Sequence, residues 1–277
     1  MIHKKIKLRD DGTVYMNTYL LDYYPQTYYK EGRWQPEKRP VFLILPGGGY
    51  GFQSDREGEP VALAFAACGF HCAVLYYSVM EASKMPRPLE DVSMAVWYLR
   101  SHAEELHINP DGIAVGGFSA GGSLTSILGT QWNTWGLAAG LGIPERGNRP
   151  DALMMAYAPT DDRYFHCPDI ETYEEPLGRT LMEHDPQLDT APRVSRDTPP
   201  AFIWHTTRDE LVDARNCLSF TLQCLEQGVP CELHLFQYGL HGQALGNDVT
   251  DYQAPREPNI EFWVPMFVNW MRALFSF

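Results

Sequence analysis

The chain is short of positive charge: 22 Lys and Arg stand against 35 Asp and Glu, for a net charge of -13. Such a field repels a polyanion, so nucleic acid is not an expected partner. Long hydrophobic runs are missing as well. No stretch is apolar for long enough to cross a bilayer, so no membrane association is expected. The start, Met1-Ile2-His3-Lys4-Lys5, passes straight into charged residues without the apolar stretch of a secretion signal, which predicts a soluble, cytoplasmic protein. Cysteine occurs only as Cys68, Cys72, Cys167, Cys217, Cys224 and Cys231, without C-x-x-C or zinc-type spacing and mostly inside apolar segments. Reduced core thiols and no metal site are expected. No Ser/Gly-rich linker, repeat or low-complexity segment divides the sequence, which predicts one domain over residues 1–277.

What is present is a regular alternation of apolar runs with helical patterns, the signature of β-α-β units and a mostly parallel sheet. Val41 to Leu45, Cys72 to Tyr77, Ile113 to Gly117, Ala152 to Tyr157, Ala201 to His205 and Cys231 to Phe236 are the strand candidates. Several are apolar at every position, so helices should cover both faces. Leu89, Val92, Val96, Leu99, Ala103 and Leu106 recur at three- and four-residue steps after Pro88 and predict an amphipathic helix. Further helices are expected over about 119–129 and 213–228, and over the stretch carrying Trp263, Phe267, Trp270, Met271 and Leu274. The opening segment around Thr13 to Leu20 alternates like antiparallel strands. Residues 160–199, rich in Asp, Glu and Pro and without a clear period, read as a lid or substrate-facing excursion rather than core.

The sharpest motif is Gly117-Phe118-Ser119-Ala120-Gly121, a G-x-S-x-G between a strand and a helix. A nucleophilic serine on so tight a turn needs neighbours without side chains, and the helix N-terminus behind it favours developing negative charge. Two frames imitate nucleotide loops. Gly117 and Gly122 are spaced as in a phosphate loop, but Ser123 follows where lysine is required. Gly47 and Gly49 begin a G-x-G-x-x-G whose last position is Phe52.

A serine nucleophile needs a base, and the base an orienting acid, in the chain order Ser, Asp or Glu, His. His241 follows the Cys231 to Phe236 strand and Asp209 follows the one before it, so both can come from strand ends. His205 and His234 fall within strands and read as packed, hydrogen-bonded core residues; Glu210, Asp213, Asp161 and Asp162 stay open as alternatives to Asp209. The three glycines of Pro46-Gly47-Gly48-Gly49-Tyr50 then gain a purpose, because backbone amides can approach a tetrahedral intermediate where no Cβ intervenes. Gly48, Gly49 and Ala120 are the expected oxyanion donors. Ser54-Asp55-Arg56-Glu57 fits a capping box and reads as a helix start.

These residues resemble the α/β-hydrolase superfamily, and within it the small bacterial carbohydrate-esterase group similar to acetylxylan esterases. The resemblance rests on Pro46-Gly47-Gly48-Gly49-Tyr50, Ser54-Asp55-Arg56-Glu57-Gly58-Glu59-Pro60, Gly117 to Gly122, Asp209 with Val212, and Gly239-Leu240-His241-Gly242. Pro46 stands where hormone-sensitive-lipase-like relatives carry the histidine of H-G-G-G. The group usually has a histidine where this chain has Ser123, and a proline where it has Asp213. The resemblance implies an α/β-hydrolase fold with a lid-like insertion and hydrolysis of short acyl esters, often acetyl groups on oligosaccharides, without metal or cofactor. Tyr50, Trp132, Trp135, Tyr164 and Phe165 are candidates for stacking on a sugar or restricting the acyl group. A serine peptidase and a non-catalytic binding protein on the same scaffold are the alternatives, and the oligomeric state, a homo-oligomer included, is open.

Overall fold

The computed structural model describes residues 1–22, 38–164, 188–250 and 259–276. Eight strands form one sheet: β1 (Ile2–Lys7), β2 (Tyr15–Leu20), β3 (Arg39–Leu45), β4 (His71–Tyr76), β5 (Ile108–Phe118), β6 (Ala152–Ala156), β7 (Ala201–Thr206) and β8 (Cys231–Phe236), in the spatial order β1-β2-β4-β3-β5-β6-β7-β8. The β1-β2 and β2-β4 pairings are antiparallel, and every pairing from β4 to β8 is parallel. The antiparallel β2 lies in the opening segment whose sequence alternates, and the inner parallel strands β3, β6 and β7 are almost wholly buried, whereas the edge strand β8, Cys-Glu-Leu-His-Leu-Phe, is only partly so.

The alternation of side chains along β3 shows why both faces must be covered. Val41, Leu43 and Leu45 pack in one cluster with Leu89, Val92, Val96 and Leu124, whereas Phe42 and Ile44 pack in another with Val61, Phe65, Trp263 and Phe267. The first face carries α2 (Arg87–Ser101) and α3 (Ala120–Gln131), and the opposite face carries α1 (Glu59–Ala67) and the last helix (Trp263–Phe275). A short α4 (Leu137–Gly140) follows α3. On the α2–α3 face, α5 (Arg215–Gln227) buries Cys217, Phe220 and Cys224 against Leu153, Met155, Ala201 and Ile203. The last helix is α6. None of the helices among the described residues is long and apolar enough to cross a membrane.

Three expectations change. The α2 helix ends at Ser101, so the buried Ala103 and Leu106 continue the apolar cluster from the turn that follows it. Ser54 makes no side-chain cap bond; Asp55–Glu57 is a single 3-10 turn with Glu57 turned inward, and α1 begins two residues later with Pro60 in its first turn. Within 160–199, residues 165–187 lie outside the described residues, and the flanks are core rather than lid. Thr190 and Ala191 donate their N–H groups to the Thr160 carbonyl, and Leu188, Ala191 and Val194 are buried.

Candidate active site

The tight turn after β5 puts Ser119 at φ 52°, ψ −119°, a conformation that costs an ordinary residue free energy and must be imposed by its surroundings. The glycines show what imposes it. A Cβ on Gly117 would lie 2.2 Å from the Gly121 carbonyl oxygen, and one on Gly121 would lie 2.0 Å from the Leu45 carbonyl oxygen. β5, α3 and the end of β3 are therefore in backbone contact, and only glycine fits between them. Ser119 and His241 are both half-buried, so a small solute can reach them.

His241 Nε2 lies 2.8 Å from Ser119 Oγ, and His241 Nδ1 lies 2.7 Å from Asp209 Oδ2. A carboxylate only accepts, so Nδ1 carries the proton and Nε2 presents its lone pair to the serine hydroxyl. Asp209 itself is fixed by four donors. Its Oδ1 accepts the N–H groups of Leu211 at 2.9 Å and Val212 at 2.8 Å, and its Oδ2 also faces His205 Nε2 at 3.1 Å. Burial alone would push this carboxyl up, but the hydrogen bonds from His205 and His241 outweigh it and hold Asp209 well below the usual carboxylate range.

His205 is therefore more than a packed core residue. Its Nε2 faces both Asp209 and the Val212 carbonyl oxygen, at 3.1 and 3.0 Å, so Nε2 carries the proton. The four-residue spacing from His205 to Asp209 was the available signal, at the end of β7, where the chain turns back on itself. Two of the other carboxylates are committed elsewhere. Asp161 is held by Ser219 and by Arg163 at 2.6 Å, and Asp213 by Arg215.

The loop after β3 lies against the serine: a Cβ on Gly47 would be 3.0 Å from Ser119 Cβ. The Gly47 N–H donates to Glu57 Oε2 at 2.8 Å, whereas the N–H groups of Gly48, Gly49 and Ala120 have no acceptor among the described residues. Positive φ at Gly48 (125°) and Gly49 (61°) turns this loop, and Ala120 opens α3, where no intrahelical acceptor exists.

The aromatic candidates do not gather here. Tyr50 is 2% exposed and packs edge-on against Tyr77, so its ring belongs to the core rather than to an open stacking surface. Trp132 caps the far end of α3; at ~1.5 Å per residue the helix carries it about 20 Å from Ser119. It packs beneath Arg146 and Arg149, and Trp135, 98% exposed, follows three residues later. Tyr164, just beyond the carboxyl end of β6, is flanked by Arg163 and Arg215. Phe165 lies outside the described residues. Among the described residues no group of three or more His, Cys, Asp or Glu could hold a metal ion.

Comparison with known proteins agrees with this architecture. The BD-FAE family model matches residues 28–223. An alpha/beta hydrolase enzyme, MGS-M1, from a Medee basin deep-sea metagenome library is 33% identical, with a TM-score of 0.80 over 100% of this chain and 99% of that one. The acetyl ester-xyloside bifunctional hydrolase of Caldicellulosiruptor lactoaceticus is 28% identical, with a TM-score of 0.77 over 98% and 96%. Among curated proteins, the acetylxylan esterase of Xylanibacter ruminicola is 26% identical over 279 residues, covering 92% of this chain and 52% of its own length. The chain spans between a third and about half of the length of four of the curated relatives it matches, and less than a tenth of some others. With its mostly parallel sheet, its serine on the turn after β5 and a family match over most of its length, the chain belongs to the BD-FAE family of the α/β-hydrolase fold.

Proposed function

We propose that this chain is a serine carboxylic-ester hydrolase that removes short acyl groups, acetyl foremost, from carbohydrate esters. The observation that carries the reading is the unbroken hydrogen-bonded line from Ser119 Oγ through His241 to Asp209, at 2.8 and 2.7 Å, beside three backbone amides with no acceptor among the described residues. His241 Nε2 takes the Ser119 proton as Oγ attacks the ester carbonyl. The carbonyl oxygen becomes an oxyanion received by the amides of Gly48, Gly49 and Ala120, each able to contribute on the order of 10²–10³ in rate. His241 then gives its proton to the departing alcohol, leaving an acyl group on Ser119. Water, deprotonated by the same nitrogen, attacks the acyl-enzyme, and as the acid departs His241 returns that proton to Ser119 Oγ. Asp209 keeps the proton on Nδ1 throughout and stabilises the imidazolium formed in each step.

Ester rather than amide, and acetyl on sugar rather than a long acyl chain, is supported by the names of the similar proteins from X. ruminicola and C. lactoaceticus. A substrate panel tests it: 4-nitrophenyl esters of increasing acyl length beside acetylated xylo-oligosaccharides, compared by kcat/KM. Acetyl esters should be preferred and xylo-oligosaccharides deacetylated. A steep rise toward long acyl chains would overturn the assignment.

A further inference from the structure

Glu57 is a carboxylate only 3% exposed, and the acyl-transfer steps make no use of it. A buried carboxylate is costly unless its oxygens are satisfied. Both are, by donors from two different loops. Oε2 accepts the Gly47 N–H at 2.8 Å, and Oε1 accepts the Tyr157 hydroxyl at 2.6 Å. The Tyr157 oxygen in turn accepts the N–H of Ala244, three residues past His241, at 3.0 Å. The Tyr157 ring stands edge-on to the His241 ring, with centroids 5.0 Å apart and planes at 70°. Glu57 and Tyr157 thus join the glycine loop to the histidine loop through two buried side chains.

The polarity of this line is fixed. Gly47 N–H, Tyr157 O–H and Ala244 N–H each need an acceptor, and only a residue with two acceptor oxygens at position 57 serves the first two at once. Its effect on the glycine loop is specific, because Gly47 N–H belongs to the same peptide unit as the Pro46 carbonyl. That carbonyl accepts the Tyr77 hydroxyl at 2.6 Å. One peptide plane is therefore held at both its oxygen and its nitrogen, and its orientation sets where the next two amides, Gly48 and Gly49, point.

We infer that Glu57 and Tyr157 are a positioning pair that aligns the amides of Gly48 and Gly49 with the Ser119–His241 axis. The inference rests on the proposed acyl-transfer reading, in which those amides receive the oxyanion. A pre-aligned donor acts on the transition state more than on the bound ester, so disturbing the pair should appear in kcat rather than in KM.

The test uses Glu57→Gln and Tyr157→Phe, singly and together, with Ser119→Ala as the reference, assayed on 4-nitrophenyl acetate at 25 °C in protein whose circular dichroism matches wild type. A glutamine at 57 can accept from only one of the two donors, and a phenylalanine at 157 cannot bridge. Each single variant should lose about 10- to 100-fold in kcat with KM within about threefold, part of the effect of removing one oxyanion donor outright. The inhibition constant of a trifluoromethyl ketone, which forms a tetrahedral adduct on the serine, should rise in parallel with the fall in kcat/KM. The double variant should be no worse than the poorer single one, because the two act as a unit. Unchanged kcat, an unchanged inhibition constant, or losses that multiply in the double variant would overturn the inference; Tyr157→Phe alone decides the first two if Glu57→Gln does not fold. If Ser119→Ala is inactive while both variants match wild type, only the positioning role fails. If Ser119→Ala keeps full activity, the acyl-transfer reading fails and this inference with it.

Discussion

Replacing Asp209 by asparagine changes one oxygen for an NH2, and the surroundings dictate what happens next. Oδ1 receives two backbone N–H groups, from Leu211 and Val212, so the amide oxygen must stay there and the NH2 must take the place of Oδ2. That NH2 then faces His241 Nδ1, until now a donor at 2.7 Å. The imidazole answers by moving its proton to Nε2, the nitrogen 2.8 Å from Ser119 Oγ, and the serine loses its base. An asparagine that fixes the wrong tautomer of a catalytic histidine lowers kcat by about 10⁴ in the serine protease where this was worked out, about 5 kcal/mol of transition-state stabilisation, and the same order is expected here. His205 adds a stability cost. Its Nε2–H would meet the new NH2, and moving that proton to Nδ1 would bury a donor that has no partner among the described residues. Either arrangement costs on the order of 1–3 kcal/mol. The assay is kcat for 4-nitrophenyl acetate with active enzyme counted by titration, beside a urea unfolding curve. A kcat within tenfold of wild type would refute the argument.

Four further outcomes follow from the same geometry. Because the folded-state pKa of Asp209 is lowered, its contribution is present above the unfolded value near 4 and is lost as pH falls through that value toward the folded one. The difference in urea midpoint between wild type and Asp209→Asn should accordingly be constant from pH 7 to about pH 5 and shrink below about pH 4; a difference that grows on acidification would contradict the assignment. Asp161→Asn and Asp162→Asn should keep kcat/KM within about threefold of wild type per folded molecule, since Asp161 is engaged by Arg163 and Ser219 rather than by His241; a loss of orders of magnitude would move the acid to the end of β6. Gly121→Ala should cost upwards of about 3 kcal/mol or prevent folding, because its Cβ would lie 2.0 Å from a backbone oxygen, whereas Gly49→Ala, with nothing within 4 Å, should cost about 1–2 kcal/mol for its positive φ; thermal unfolding separates the two. Trp135→Ala should leave kcat/KM for acetylated xylo-oligosaccharides unchanged, because its ring is exposed beyond the far end of α3; a clear loss would place sugar binding there.

How much of this was legible in the sequence depended on the range of the forces involved. The inner strands announced themselves because a parallel sheet buried on both faces is apolar almost throughout, and the half-buried edge strand β8 showed instead as a short apolar alternation; the ends of β7 and β8 then gave addresses for Asp209 and His241. The serine turn was legible because backbone contact between β5, α3 and β3 excludes every side chain at Gly117 and Gly121. Glu57 was not. The spacing Ser54 to Glu57 is that of a capping box, and what turns the carboxylate inward is a pair of donors 10 and 100 residues away in the chain. The role of His205 was hidden for a similar reason, since the residue it shares with His241 becomes visible only when β7 and β8 lie side by side. Trp132 and Trp135 misled in the opposite way: aromatic composition near a motif says nothing of direction, and α3 leads away from the serine. The flanks of 160–199 misled through polarity, for their apolar residues are few but well spaced enough to reach α5.

The central claim is that Ser119 is the nucleophile, and covalent capture tests it most directly. A fluorophosphonate applied to wild-type protein should give one adduct by intact mass, located by peptide mapping to Ser119, with 4-nitrophenyl acetate hydrolysis lost in proportion to labelling. Folded Ser119→Ala should take up no label and hydrolyse no ester above background. An adduct on another residue, or full hydrolysis by Ser119→Ala, would contradict the account.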